Sequence, residues 1–246
     1  MHLRALIPWG AQEGFSKQML LMICSTIIIA VFFVMASKKE EVVPSKLQYT
    51  GEMGYNFVRN DIARDIIGSK DFKRYVPLLF TFFWFILVNN VYGMIPLLQL
   101  PTFSHVGSAY VLAAVAYVVW VGAGIKRHGF IGFFKHMCVP GGVKGPILGL
   151  VVPIEFFSNI LVRPVTHALR LFATMFAGHL VVMVFASGAE FLIMQYGGIV
   201  GFGGGIISII LGIAMYFLEA LIMVLQAYVF TLLMASYLQG ALADEH

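Results

Sequence analysis

Charge is what this sequence has least of. Only 11% of its 246 residues are Asp, Glu, Lys or Arg, and 60% are apolar. Soluble domains run nearer about 25% charged and about 45–50% apolar, so a water-soluble globular fold is excluded. Cysteine is scarce too. Cys24 falls in an apolar run and Cys138 in a basic loop, at different depths, which argues against a structural disulfide. No CxxC and no His/Cys cluster suggests a metal. No Walker-type Gly-rich loop is present, so neither a nucleotide site nor another cofactor is expected. The short alternating segments of a membrane barrel are missing. So is the internal repeat that a secondary transporter with two similar halves would show. The formal charge of +4 does not suggest nucleic-acid binding; where it sits gives it its meaning.

What the chain does have is long apolar runs. Residues 19–36 form a first span, stopped by Lys38 and Lys39. The run exceeds the apolar core of a cleaved signal peptide, about 7–15 residues, so it reads as an anchor that stays. Residues 37–75 are polar and carry eight Lys/Arg. Within them Tyr55, Val58, Ile62 and Ile66 share one helical face, which predicts an amphipathic helix on the membrane surface. The rival is a small helix docked on a soluble subunit. Residues 76–98 and 106–125 form a hairpin of spans around a short turn at 99–105. Asn89 and Asn90 lie inside the second span, where amides either line a polar path or bond neighbouring helices. Residues 126–146 are expected to be a loop, broken by Gly141, Gly142, Gly145 and Pro146. Its His128 and His136 have no further ligands beside them, so no metal site is read there.

Residues 147–188 and 199–238 are each apolar for about forty positions, roughly 60 Å as one helix. A hydrocarbon core is about 30 Å thick, so each is either two spans with a hidden turn or one long tilted helix. Pro153 and Pro164 permit kinks. The Gly-rich run from Gly197 to Gly205 is the expected turn between the two segments, and no comparable break lies within either. The expected fold is an all-α polytopic membrane protein formed as a single membrane domain over 1–246. It has five membrane-crossing helices, the last two long and strongly tilted as a hairpin, plus one amphipathic surface helix. Five crossings put loops 37–75 and 126–146 on one side with twelve of the sixteen Lys/Arg. The positive-inside rule then places residues 1–18 outside and the C-terminus in the cytoplasm.

The polar residues of the last two segments stand out against this background. Arg163, His167, Arg170 and His179 lie in a stretch long enough to cross a bilayer. A guanidinium stays charged at any physiological pH, and at the bilayer centre it costs roughly 2.5–3.5 kcal/mol on insertion scales. Such a residue implies a partner or a water-filled cavity. In an antiparallel pair of helices, facing residues have a constant sum of numbers. Arg170 with Gln226, and His179 with Glu219, meet nearly the same sum. Glu219 is the only acid between 191 and 243. Asn159, Arg163, His167, Arg170 and Thr174 step by three or four along one face. His179 lies nine residues beyond Arg170, roughly 180° around the helix. His and Glu can exchange protons near neutral pH, whereas Arg acts as a fixed cation. The pattern reads as a path that delivers protons up to a barrier; the bland reading is a set of helix-bridging pairs.

The stretch from Leu169 to His179 (Leu-Arg-Leu-Phe-Ala-Thr-Met-Phe-Ala-Gly-His) resembles the signature of subunit a of F-type ATP synthases. So do Leu225-Gln226-Ala227-Tyr228-Val229-Phe230 with Tyr237-Leu238, Pro164 to Ala168, and the Asn89-Asn90…Gly93…Pro96 hairpin. The likeness covers about residues 75–240; the N-terminal stretch is similar in hydropathy alone. The resemblance implies a proton-translocating stator subunit of the F0 sector. Its two long helices would lie against a rotating ring of c subunits and form two offset half-channels. Further implied partners are b-type peripheral stalk subunits and the rest of the F1F0 complex, in a bacterial plasma membrane. Arg170 would face the ring and bar a direct leak. His179 and Glu219 would be the acid–histidine pair of the outer half-channel, and Gln226 the polar partner opposite the arginine. Glu155 and Glu190 stand near the inner and outer mouths. Thr174 departs from the asparagine common there. Such a chain is a channel part and not the ATP-making catalyst; an ion-coupled secondary transporter is the alternative.

Overall fold

Backbone in hydrocarbon must satisfy its own hydrogen bonds, so apolar runs of this length fold as helices. The computed structural model describes residues 17–38, 44–95, 102–104, 106–138 and 148–243, and every regular element among them is helical. Helix α1 is Lys17–Ser37. Helix α2 runs from Lys46–Asn56 through a π-helical stretch, Phe57–Arg64, into Asp65–Ile67. Helix α3 is Phe72–Met94, and a 3-10 turn, Thr102–Ser104, precedes α4, Val106–Cys138. Helix α5 joins Leu148–Phe157, the π-helical Ser158–Val162, Arg163–Glu190 and a π-helical last turn, Phe191–Tyr196. Helix α6 is Gly198–Leu242.

Five of these, α1, α3, α4, α5 and α6, are long and apolar enough to cross a membrane. The all-α polytopic class read from the sequence is the class observed. The last two spans cover 48 and 45 residues without an internal turn. At about 1.5 Å per residue, each is roughly 70 Å long. They pack on each other along their length, with α3 and α4 against them and α1 on the outside of α3. The core lies where α3, α4, α5 and the second half of α6 meet, around Leu79, Ile86, Leu171, Met175, Met223 and Phe230.

Three local expectations are corrected. First, the Gly-rich run is not one long turn. Only Gly197 and Gly198 take positive φ, +64° and +69°, and the chain is helical from Gly198 onward. The next glycines allow close packing instead. A Cβ on Gly201 would stand 2.5 Å from the Leu192 carbonyl oxygen, and one on Gly205 would stand 2.3 Å from Ile193 Cγ1. Second, residues 126–138 are not loop. Helix α4 continues past Ile125 and bends at Gly129, with φ +74°. The bend returns Phe133 onto Gly124, where any Cβ would clash. The glycines expected to break this segment, 141, 142 and 145, lie outside the described residues, as does Pro96. Third, α2 is amphipathic, but its own chain covers its apolar face. Val58, Ile62 and Ala63 are fully buried, largely against α3. The tight turn after Ile67, with Gly68 at φ +90°, folds α2 back onto α3.

Pro164 follows the π-helical turn for a physical reason. Proline has no N–H and its ring crowds the carbonyl four residues back. The proline thus leaves the Ile160 carbonyl without its usual donor, and in the wider turn just before it the Arg163 N–H bonds to Ser158 O, five residues away.

Candidate functional site

The α5–α6 hairpin sets the depth of every polar residue. Its register is visible in facing pairs. Gly212 backs onto Phe185, Gly178 onto Glu219, and the His167 ring lies tilted over Phe230 with centroids 3.9 Å apart. The residue numbers in these pairs share one sum, as the antiparallel argument requires.

His179 and Glu219 are brought together. Nδ1 of the histidine stands 3.9 Å from Oε1 of the carboxylate. That is an ion-pair distance when the imidazole is protonated, and too long for a direct hydrogen bond. Glu219 is 5% exposed and His179 22%, so the pair spans the boundary between interior and surface. The fit depends on Gly178, a residue the sequence reading passed over. A Cβ there would meet Glu219 Cγ at 3.2 Å and Oε1 at 3.4 Å, so any larger residue must push the carboxylate side chain by a few tenths of an ångström or more. The signal that could have found it is the register itself, which sets 178 opposite 219.

Arg170 and Gln226 stand at matching depth, but no hydrogen bond joins them. Gln226 is 4% exposed and its Nε2 has no partner, whereas Arg170 is exposed and makes neither hydrogen bond nor ion pair among the described residues. The reason is rotational. Ala168, Leu171 and Met175 form the buried face of α5, and Arg170 lies off it by roughly one residue's turn of 100°. The predicted polar stripe therefore divides. Asn159 and His167 turn inward, Arg163 and Thr174 are half-buried, and Arg170 points out. The Thr174 hydroxyl donates to Arg170 O at 2.8 Å, so its hydrogen is spent on its own helix. Arg163 has its own arrangement, between the rings of Trp120 (5.8 Å) and Tyr237 (5.4 Å). His179, on the opposite side of the helix from Arg170, agrees with the half-turn read from the spacing.

The asparagine pair on α3 bridges helices. Asn89 Nδ2 donates to Ser25 Oγ at 2.8 Å and to Phe85 O at 2.7 Å, tying α3 to α1. Asn90 Nδ2 donates to Met223 O at 3.1 Å, tying α3 to α6 between Glu219 and Gln226. Its Oδ1 stays buried without a partner, as does Oε1 of Glu219. Asn90 Oδ1, Glu219 Oε1 and Gln226 Nε2 are thus three unmet buried polar atoms where α3 meets α6. Toward the Gly197 turn, a groove of about 530 Å³ opens between α5 and α6, lined by Phe185, Ala189, Glu190, Ser208 and Tyr216. Its lining also includes Val182, so the groove ends about one helical turn from His179 and, at Tyr216, from Glu219. Glu155 lies at the other end of α5 and accepts from Asn159 Nδ2 at 3.2 Å. No group of three or more metal-ligating side chains occurs among the described residues.

These features define a polytopic helical membrane protein whose last two spans enclose a seam of acid, base and amide groups beside an outward-facing cation. Residues 19–239 match the family described as ATP synthase A chain. The chain is 62% identical over its full length to ATP synthase subunit a of Pseudarthrobacter chlorophenolicus, covering 92% of that protein. It is 43% identical to ATP synthase subunit a of Streptomyces lividans, with 97% of this chain and 84% of the relative aligned. For the subunit a of Frankia alni the identity is 39%, with 94% and 79% aligned. The chain belongs to the ATP synthase A chain family.

Proposed function

We propose that this chain is the proton-translocating stator subunit of the F0 sector of an ATP synthase, working against a ring of c subunits. The observation that carries the reading is the pairing of opposites on one helix. Arg170 faces outward without a hydrogen-bond or ion-pair partner among the described residues, while His179, half a turn around, meets the buried Glu219 at 3.9 Å. A proton entering from the turn end passes along the groove by Glu190, Ser208 and Tyr216 to the His179–Glu219 pair. Asn90 and Gln226, each with an unmet buried polar atom, continue the polar seam toward Arg170. Arg170 favours the ionised form of a carboxylate on the neighbouring ring and repels a proton crossing directly between the two half-paths. Glu155, Asn159 and His167 lie on the release side. Thr174 shapes the helix there through its backbone bond, and Asn89 holds α3.

Each elementary charge moved through 100 mV is worth about 2.3 kcal/mol, so several protons must be collected for one ATP. This chain is the channel part of that machine and leaves ATP chemistry to other subunits. The chain sits in a bacterial plasma membrane with its N-terminus outside and its C-terminus in the cytoplasm, braced by b-type stalk subunits. The transporter alternative has no support in the family match. The test is Arg170→Ala in membrane vesicles at normal assembly, measuring ATP-driven pumping and passive leak. Pumping is expected to be lost and leak to rise. Near-normal pumping would leave Arg170 as a surface charge and sink the mechanism.

A further inference from the structure

The end of α4 folds back on itself. In a straight helix Gly124 and Phe133 would stand about 13.5 Å apart along the axis, and Trp120 and Phe133 about 20 Å. The bend at Gly129 instead brings the Phe133 ring against Gly124 and to 5.9 Å from the Trp120 ring, centroid to centroid. Residues 130–138 therefore lie beside the last turns of the apolar part of α4, at the same depth, and do not project beyond it. Phe133 and Cys138 are buried on this short helix, whereas Phe130 is 65% exposed and Ile131 82% exposed. At that depth the two bared side chains meet the boundary layer of the bilayer, where apolar groups are withdrawn from water.

Basic residues frame the same corner. Lys126 and Arg127 precede the bend, Lys135 lies one helical turn beyond Ile131, and all three are exposed. No Asp or Glu occurs from Phe72 to Ile154. The next acid, Glu155, accepts from Asn159. The segment thus offers apolar groups and cations side by side with no carboxylate of its own. Long basic side chains lay their stems on apolar surface and hold their charge at the headgroups. A soluble acidic partner would match the cations but not the depth of Phe130 and Ile131. A neutral lipid would cover the apolar groups and add no net counter-charge. An anionic phospholipid meets both demands.

We propose that the bent end of α4, residues 126–138, is a binding surface for anionic phospholipid, with Phe130 and Ile131 among the acyl chains and Lys126, Arg127 and Lys135 at the phosphates. The same segment holds α5, because the Met137 carbonyl accepts from Asn159 Nδ2 at 2.9 Å. Lipid bound here steadies the junction of the two helices from outside. The surface does not depend on the proton-path reading, and either can fail without the other.

The test uses the complete complex freed of native cysteine, with Ile131→Cys introduced and reconstituted in liposomes of phosphatidylcholine mixed with phosphatidylglycerol. A nitroxide on Ile131→Cys should collide more with oxygen, which concentrates in hydrocarbon, than with a water-soluble nickel chelate. Dominance of the chelate places the surface in water, and shielding from both probes places another subunit over it; either result overturns the proposal. A bimane on the same cysteine then reports which lipid is adjacent, through quenching by brominated acyl chains carried on one lipid or on the other. Phosphatidylglycerol should be preferred at least about tenfold. Each cation near an anionic surface contributes a factor of about five, so Lys126→Gln with Lys135→Gln should cut the preference at least about fivefold. Equal quenching by the two lipids, or a preference unchanged in the double variant, overturns the recognition of anionic lipid. If Ile131→Cys fails to assemble, Phe130→Cys probes the same surface.

Discussion

Two arginines lie seven residues apart on α5, and the chain treats them in opposite ways. Arg163 rests between Trp120 and Tyr237, its charge against two ring faces. Arg170 stands exposed and makes no side-chain hydrogen bond, ion pair or cation–π contact among the described residues. A cation–π contact is worth about 0.5–1 kcal/mol when exposed and about 2 when desolvated, enough to lower much of the penalty of an intramembrane guanidinium. The chain therefore had a means to neutralise an arginine and used it at only one of the two positions. Arg163 is at home within its own subunit; Arg170, in the function proposed above, is completed by a carboxylate outside it.

The contrast is sharpest when each charge is removed. Arg170→Ala should abolish pumping, on the order of a hundredfold if the charge contributes about 3 kcal/mol to the transfer step. Next comes the acid–histidine pair. Glu219→Gln should lower pumping by at least about tenfold, since positioned acid–base groups contribute about 10²–10⁴. The exchange of His179→Glu with Glu219→His should recover part of it, because the same two groups would again stand close together. An exchanged protein no better than Glu219→Gln would show that position, and not proton affinity, is what matters. Gly178→Leu should cut pumping in an assembled complex by displacing Glu219, with a packing penalty of about 1–3 kcal/mol; Gly178→Ala should do so more mildly. Arg163→Met should act mainly on stability, lowering the resistance of the purified complex to heat by about 1–2 kcal/mol. If Arg163→Met instead matched Arg170→Ala in pumping, the difference between the two arginines would collapse. The smallest effect is expected at Cys138. Burial and then the Glu155 carboxylate push its thiol up, so less thiolate is present at neutral pH. Maleimide should label it slowly in the native complex, and Glu155→Gln should speed the reaction slightly.

Depth was legible in the sequence, and so was the half-turn between Arg170 and His179, but which face each helix turns to its neighbours was not. Antiparallel helices of equal rise keep facing residues in register, so the meeting of His179 with Glu219 followed from their numbers. Arg170 and Gln226 satisfied the same arithmetic without pairing, because register along an axis leaves the angle around it open. That angle is set by Ala168, Leu171 and Met175, whose burial turns the helix. The glycines misled for a related reason. Composition shows where a turn is permitted, while the structure uses Gly201 and Gly205 to let two helices touch and reserves positive φ for Gly197 and Gly198. The notch at Gly178 depends on Glu219 across the hairpin, which local patterns do not reveal.

The hydrogen bonds between α3 and α6 have a mechanical meaning. Asn90 reaches Met223 O, and the Tyr216 hydroxyl reaches Met94 O. The two anchor points on α6 are seven residues apart, about 10 Å along the helix. A rod pinned once can pivot, and a rod pinned twice cannot. If a rotor drags past the long hairpin, the sideways load on α6 passes through both fasteners into α3, which itself is tied through Asn89 to α1. The short first half of the chain would then serve as a bracket, holding the track still while its neighbour turns.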